Sequence, residues 1–307
     1  DQPSRSMVHA IASHLMGAVA ALALLGHTLF LGVFLYIFIL LRLLLQFPAG
    51  QRWVNPCITE IAALWMGGIL WWMRRMQKTR WDIQGLGQLN PRGWYLLTVN
   101  HQSWADIFVL FQAYHRKIPL LKFFIKKQMA RIPVVGQAWW ALDFPFMERH
   151  SKAYLKKHPE KVGQDLLATQ RACEKFSEVP TSVVNFLEGT RFSPLKHEQQ
   201  ASPFRHLLRP KAGGIAFTIR ALGSKFSALT NVTIVYPQGV PSFWDLLCGR
   251  MKHVIIRVEE IAIPDHFSRG DYQNDDAFRQ EVQEWVQTIW LRKDRLMDAC
   301  LREQRPN

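Results

Sequence analysis

The chain has 307 residues, room for one large α/β domain or two small ones, which excludes a peptide-scale scaffold. Hydrophobic residues make up 49% and charged residues 20%, a globular balance that excludes disorder as the main state. Lys and Arg number 38 against 24 Asp and Glu, and the net charge of +14 calls for an anionic partner: phospholipid headgroups, a phosphorylated substrate or nucleic acid.

Residues 15–41 contain no Asp, Glu, Lys or Arg. As a helix this run is roughly 40 Å long, enough to cross a hydrocarbon core of about 30 Å with some tilt. It exceeds the apolar region of about 7–15 residues normal for a cleaved signal peptide. His27 lies inside it, and a neutral imidazole hydrogen-bonded within a helix pair is expected there. A second apolar stretch, residues 61–73, is too short to span and reads as an interfacial or re-entrant helix. The basic collar after it (Arg74, Arg75, Lys78, Arg80) favours a cytoplasmic leaflet, whose anionic lipids attract each such charge by about 1 kcal/mol. Arg5 before the first helix and Arg42 and Arg52 after it leave the orientation of the N-terminus open. Trp53, Trp65, Trp71, Trp72, Trp139 and Trp140 fit either a membrane interface or an ordinary core. Residues 1–80 are therefore read as membrane-associated helices, and residues 81–307 as an α/β domain ending in a helix.

Strands are expected at 81–86 and 94–99, a helix at 103–115, and a strand at 119–125 followed by short helices broken by Pro133 and Gly136. Beyond these come a helix at 161–176, an apolar, β-branched strand at 181–187, and a helix opened by Pro210, Lys211 and two glycines and running to 222. Strands at 231–236 and 253–263 precede a long charged helix at 276–301. This alternation is that of an α/β protein: a mostly parallel or mixed central sheet flanked by helices, preceded by an N-terminal membrane-embedded helix pair. The four cysteines (Cys57, Cys173, Cys248, Cys300) form no C-x-x-C pair, so no metal site or disulfide framework is indicated, and a reducing compartment follows.

Two clusters carry chemistry. Asn100-His101-Gln102-Ser103-Trp104-Ala105-Asp106 follows a strand directly, at a sheet's carboxyl edge where side chains meet ligands. Inside one helix His101 and Asp106 would point about 140° apart, so they meet only if His101 precedes the helix. A His held by a carboxylate keeps one tautomer and takes protons with its other nitrogen. Taken alone, the same residues also read as a polar loop His and a first-turn helix acid. Ser103 reads as a helix cap rather than a nucleophile. The second cluster, Glu188-Gly189-Thr190-Arg191, also leaves a strand. Its Gly admits close backbone approach, its Thr offers a hydroxyl, and its Arg is a planar fork suited to phosphate.

Together, N-H-x-x-x-x-D and F-L-E-G-T-R resemble the glycerolipid acyltransferase family, whose type activity is lysophosphatidic acid acyltransferase. The likeness covers roughly residues 81–300. The resemblance implies that His101 is the general base and Asp106 its partner, transferring a fatty acyl group from acyl-CoA or acyl carrier protein to a lysophospholipid hydroxyl. The first acceptor implied is 1-acyl-glycerol-3-phosphate, giving phosphatidic acid, with no cofactor and no acyl-enzyme. Arg149, Glu188, Gly189, Thr190 and Arg191 would hold the acceptor phosphate region, with Glu188 paired to an arginine or to a glycerol hydroxyl. Lys211, at a predicted helix N-terminus, adds positive potential or is merely a solvated lysine. Residues 231–237, ending in Pro237, look like the family's fourth motif, which shapes the acyl site. The segment from Asp271 to Leu296 is similar to the branch of lysocardiolipin and epsilon-type acylglycerophosphate acyltransferases, which makes lysocardiolipin or lysophosphatidylglycerol alternative acceptors. The setting implied is a phospholipid membrane, a bacterial inner membrane with the catalytic domain on its cytoplasmic face. A catalytically silent lipid-binding scaffold is a rival of another class. A nucleic-acid binder would suit the charge, but no nucleic-acid motif is present, and the absence of G-x-S-x-G argues against a serine hydrolase.

Overall fold

A computed structural model describes residues 2–148 and 150–304. Helices α1 (Gln2–Leu44) and α2 (Pro48–Met76) form an antiparallel hairpin. Its register is fixed by His27 against Trp65 and by Phe38 against Trp53, whose ring centroids are 5.9 Å apart. His27 Nε2 lies 2.9 Å from the Trp65 carbonyl oxygen, so that nitrogen carries the proton and donates, and Trp65 Nε1 donates to Thr28 Oγ1 at 3.0 Å. The second helix differs from the short element expected at 61–73, for it runs 29 residues from Pro48. Pro48 sits in the first turn, where its missing N–H costs nothing. The polar residues ahead of the apolar run stay helical because they have partners: Gln51 Nε2 reaches the Arg42 and Leu45 carbonyls at 2.9 and 2.6 Å, and Arg116 grips Glu60 at 2.6 Å. Both helices are long and apolar enough to cross a membrane.

Strand β1 (Arg80–Gln84) and strand β2 (Tyr95–Val99) lead into helix α3 (Ala105–Tyr114). Then come β3 (Leu121–Phe123), β4 (Ile125–Lys126), α4 (Val135–Ala141) and β5 (Phe146–Met147), with β4 and β5 making a small separate sheet. Helices α5 (Lys152–Lys157) and α6 (Gln164–Glu174) lead to β6 (Ser182–Phe186), α7 (Pro194–Gln199) and α8 (Gly213–Leu222). The chain closes with β7 (Leu229–Val235), α9 (Phe243–Leu247), β8 (His253–Ile261) and α10 (Asp276–Glu303). The six-stranded main sheet has the order β1-β8-β7-β2-β6-β3. Every neighbouring pair is parallel except β7 with β8, so the sheet is mixed. The exception has a local cause, since β7 returns to β8 through the short α9 instead of a full crossover helix.

Alternation along the strands sorts two cores. Leu97, Val99, Val184, Val232 and Ile234 face α2 and α3, whereas Leu96, Val183, Leu229 and Val235 face α6, α8 and α10. The hairpin belongs to the first core: Val54, Ile58, Met66, Ile69, Leu70 and Met73 of α2 are buried in it. Helix α1 touches the domain near both ends. Trp244 Nε1 donates to His14 Nδ1 at 3.0 Å, while Tyr36 OH donates to Gln137 Oε1 at 2.7 Å and Arg42 pairs with Asp143 at 3.2 Å. From His14 to Arg42 is roughly 42 Å of helix, so α1 lies along the domain's flank. Its outward face, including Leu15, Val19, Leu22, Phe30 and Val33, stays exposed.

The hairpin closes where the His27 ring meets Gly68, at which an added Cβ would lie 2.6 Å from the imidazole. Gly68→Ala is expected to cost about 1–3 kcal/mol through overpacking. Gly26→Ala, whose Cβ would meet nothing within 4 Å, serves as the control. Thermal unfolding in detergent checks this, and equal midpoints for the two variants would contradict the close approach.

Candidate active site

Strand β2 ends at Val99, and the Asn100 amide then extends its ladder by side chain. Its Nδ2 donates to the Ile234 carbonyl, and its Oδ1 accepts from Ile234 N–H, both at 2.9 Å. His101 follows, four residues ahead of α3, so the condition for meeting Asp106 is satisfied. His101 Nδ1 and Asp106 Oδ2 are 2.8 Å apart, and the same oxygen accepts the backbone N–H groups of Gln102 at 2.6 Å and Ser103 at 3.0 Å. With Nδ1 committed to the carboxylate, Nε2 is the nitrogen left for proton transfer. The imidazole stacks on Phe186, with centroids 4.1 Å apart and planes 23° from parallel. Tyr236 OH donates to Asp106 Oδ1 at 2.5 Å. Burial first, and then the carboxylate beside it, push the Tyr236 phenol well above its ordinary pKa, so it remains a donor. Ser103 Oγ donates to the Pro241 carbonyl and accepts the Ala105 N–H, so the hydroxyl is engaged, but the N-cap of α3 falls at Trp104 and not, as expected, at Ser103.

Glu188 lies behind the cavity and not in its lining. It is fully buried, and among the described residues its hydrogen bonds come from backbone: Oε1 accepts the His101 N–H and Oε2 the Leu208 N–H, both at 2.8 Å. Its carboxylate satisfies two backbone amides that would otherwise be orphaned. Burial pushes its pKa up to about 7, against the opposing pull of those N–H groups and of Lys293. The next turn pins His101 from the other side, because Phe192 N–H donates to the His101 carbonyl at 2.8 Å. Gly189 turns the chain with a φ of 70°, in the left-handed region that suits glycine.

His101, Trp104, Gly189, Thr190 and Arg191 line a cavity of about 670 Å³. Apart from Thr28, Lys126 and Asn185 the rest of its lining is apolar and comes from both parts of the chain: Leu31 and Leu35 of α1, Ala62 and Met66 of α2, Phe108 and Phe111 of α3. Arg191 lies 5.5 Å over the Trp104 ring, and Lys196 Nζ donates to Thr190 Oγ1 at 2.7 Å and to the Arg191 carbonyl at 3.0 Å.

Among the residues singled out from sequence, His101, Gly189, Thr190 and Arg191 thus share one cavity, with Asp106 and Glu188 buried behind it. Lys211 is exposed and off the lining, its backbone N–H donating to the Leu187 carbonyl at 2.8 Å. Pro237 is also off the lining, and the site contact at that strand end belongs to its neighbour Tyr236. Arg149 lies outside the described residues. Tyr236, Lys196 and Phe186 were not foreseen. A buried Tyr needs a polar partner, which is the one signal that pointed to Tyr236. Lys196 follows Ser193-Pro194, a helix-start pair.

The family model for Acyltransferase matches residues 80–238, just over half of the chain. The human 1-acyl-sn-glycerol-3-phosphate acyltransferase delta is 25% identical over 209 residues, covering 61% of this chain and 52% of that protein. The 2-acyl-1-lysophosphatidylinositol acyltransferase of Saccharomyces cerevisiae is 26% identical, covering 65% and 59%, and lysocardiolipin acyltransferase 1 of Gallus gallus is 24% identical, covering 87% and 69%. The chain thus spans about half to two thirds of the length of these relatives. The crystal structure of the 1-acyl-sn-glycerophosphate acyltransferase PlsC from Thermotoga maritima aligns with a TM-score of 0.46 at 15% identity, over 89% of this chain and 96% of that one.

Tyr236→Phe leaves a buried carboxylate oxygen without its donor and is expected to cost roughly 1.5–3 kcal/mol, read by chemical denaturation. Wild-type stability in that variant would refute the bond. Folding favours the protonated form of Glu188, whose pKa rises from 4.5 to about 7. Its contribution is therefore full below the lower value and lost as the pH rises through the upper one, on the order of 3 kcal/mol in all. Glu188→Gln should flatten this part of the stability profile, and an unchanged slope would refute the shift.

Proposed function

The chain belongs to the Acyltransferase family, and from that premise we propose that it is a membrane-bound O-acyltransferase moving a fatty acyl group from acyl-CoA or acyl carrier protein to the free hydroxyl of a lysophospholipid, 1-acyl-glycerol-3-phosphate first. The observation that carries the reading is His101, held by Asp106, in the lining of a largely apolar cavity. His101 Nε2 takes the hydroxyl proton, and the oxygen attacks the thioester carbonyl. The tetrahedral intermediate collapses with loss of the thiolate, which regains the proton from the imidazolium. Asp106 stabilises that imidazolium and holds its tautomer. Arg191, with Lys196 beside Thr190, supplies the positive charge for the acceptor phosphate. The apolar cavity takes an acyl chain, and Arg149 keeps only the role that its motif suggests.

Membrane attachment fits the same chemistry, because acceptor and product both partition into the bilayer. The exposed apolar face of α1 meets lipid while its inner face holds the domain, and Arg74 and Arg75 at the end of α2 favour an anionic cytoplasmic leaflet. A bacterial inner membrane is the setting proposed. A second reading, remodelling of another lysophospholipid, is favoured by relatives named for lysophosphatidylinositol and lysocardiolipin acylation, the latter matching 87% of this chain.

Detergent-solubilised protein, long-chain acyl-CoA and a panel of lysophospholipids test this. Lysophosphatidic acid should turn over, His101→Ala should lower the rate about 10²–10⁴-fold, and Ser103→Ala should keep most of it. The reverse order for those two variants sinks the base mechanism. Turnover of lysocardiolipin or lysophosphatidylglycerol alone selects the second reading, and no turnover with either donor type favours a silent scaffold. Ala62→Trp, which fills the cavity from α2, should shift preference towards shorter donors; an unchanged chain-length profile would remove the cavity from the acyl path.

A further inference from the structure

Four residues of α10 sit at helical spacing as one buried stripe: Trp290, Lys293, Asp294 and Met297. Each meets a group that supports the catalytic loop. Trp290 Nε1 donates to the Leu208 carbonyl at 3.0 Å, and Leu208 N–H in turn donates to Glu188. Asp294 accepts the N–H groups of Arg205 at 2.9 Å and His206 at 2.7 Å, fixing the loop that carries Leu208. Met297 Sδ lies 3.8 Å from Asn100 Nδ2, directly before His101. Lys293, 1% exposed, donates through Nζ to the Val232 carbonyl of β7 and has its ammonium 5.0 Å over the Trp290 ring.

We propose that Lys293 is a positioning residue: its buried ammonium, set over Trp290 and bonded to Val232 beside Val99, supports Glu188 as a double acceptor through the Trp290–Leu208 contact, and through Glu188 it fixes the backbone of His101 and the aim of the imidazole. A buried ammonium carries a desolvation cost that a packed methionine of similar length avoids, so packing alone does not account for a lysine here. Glu188 supplies the need. Only as a carboxylate can both its oxygens accept N–H groups, since a protonated acid turns one oxygen into a donor facing an amide. Burial drives both groups towards neutrality, and each resists the other's shift. Among the described residues, the surrounding charges do not replace Lys293. Asp106 disfavours Glu188 ionisation, Glu259 acts on Lys293 itself, Asp294 is engaged by backbone, and Arg205 and His206 pair with Asp298 at 3.0 Å.

The kinetic arm of the test rests on the acyl-transfer reading, and a second arm does not. Full-length Lys293→Met and Lys293→Gln are compared in detergent with wild type, with Lys293→Arg, and with Ile289→Ala, a core truncation on the same helix. Each neutral variant should lose about tenfold or more in kcat at neutral pH with KM little changed, and the deficit should shrink as the pH rises and Glu188 ionises unaided. Lys293→Arg should keep the wild-type shape of the pH profile. Amide hydrogen exchange should quicken in the neutral variants at 100–106, 187–191 and 205–208 above the general increase seen in Ile289→Ala. Should neither neutral variant fold, a Lys293→Arg profile of wild-type shape supports the role of charge, and a profile displaced to higher pH overturns it. Neutral variants with the wild-type pH profile and only the uniform exchange of Ile289→Ala would reduce Lys293 to core packing. A wild type that turns over no acceptor defeats the acyl-transfer reading and leaves the exchange arm to decide.

Discussion

A carboxylate cut off from water has to find its hydrogen bonds inside the protein, and the rest of this site is arranged around one that does. Asp106 has no exposed surface and collects the His101 imidazole, the Gln102 and Ser103 amides and the Tyr236 hydroxyl. Three of those donors force the chain between β2 and α3 to curl back over the first helical turn, and that curl brings the imidazole within reach. The fourth comes from the end of β7, so the strand order that sets β7 beside β2 is a condition of the site as much as of the sheet.

A second buried carboxylate repeats the device one layer deeper. Glu188 clamps the His101 amide while Phe192 clamps its carbonyl, so the residue between two motifs distant in sequence is held at both backbone polar groups. The site therefore divides cleanly. Behind the imidazole lies a framework of satisfied backbone, and in front of it lies a cavity whose lining includes Arg191 and Thr190 together with residues of the helix hairpin.

The sequence was most legible where the determinants are local. The strands and longer helices expected from 80 onward fall within a few residues of their observed bounds because each carries its own period and its own turn residues, whereas the short α5, α7, α9 and β5 were not expected. His101 and Asp106 meet across five positions, which the strand-to-helix junction permits and the second motif favours. What stayed hidden depends on distance or on backbone. Glu188 was read as a ligand to substrate because its partners are amides, which leave no trace in residue types. Tyr236 looked like the last residue of an apolar strand, and its partner lies 130 positions earlier. The full length of α2 was obscured because its first half is polar, and polar residues far from the apolar run count as helix only once their partners in the loop and at Arg116 are known.

Because Leu31, Leu35, Ala62 and Met66 of the hairpin wall the same cavity that ends at His101, the lipid-facing part of the chain and the reacting part are not separable modules. A substrate tail entering that space on the proposed reading exchanges one hydrocarbon environment for another and is never carried in free solution. The quantity that saturates such a catalyst is the mole fraction of lysolipid in the surface, not its bulk molarity. Inert lipid would then slow the reaction by diluting the substrate in two dimensions, and the product would leave sideways into the leaflet from which the acceptor came.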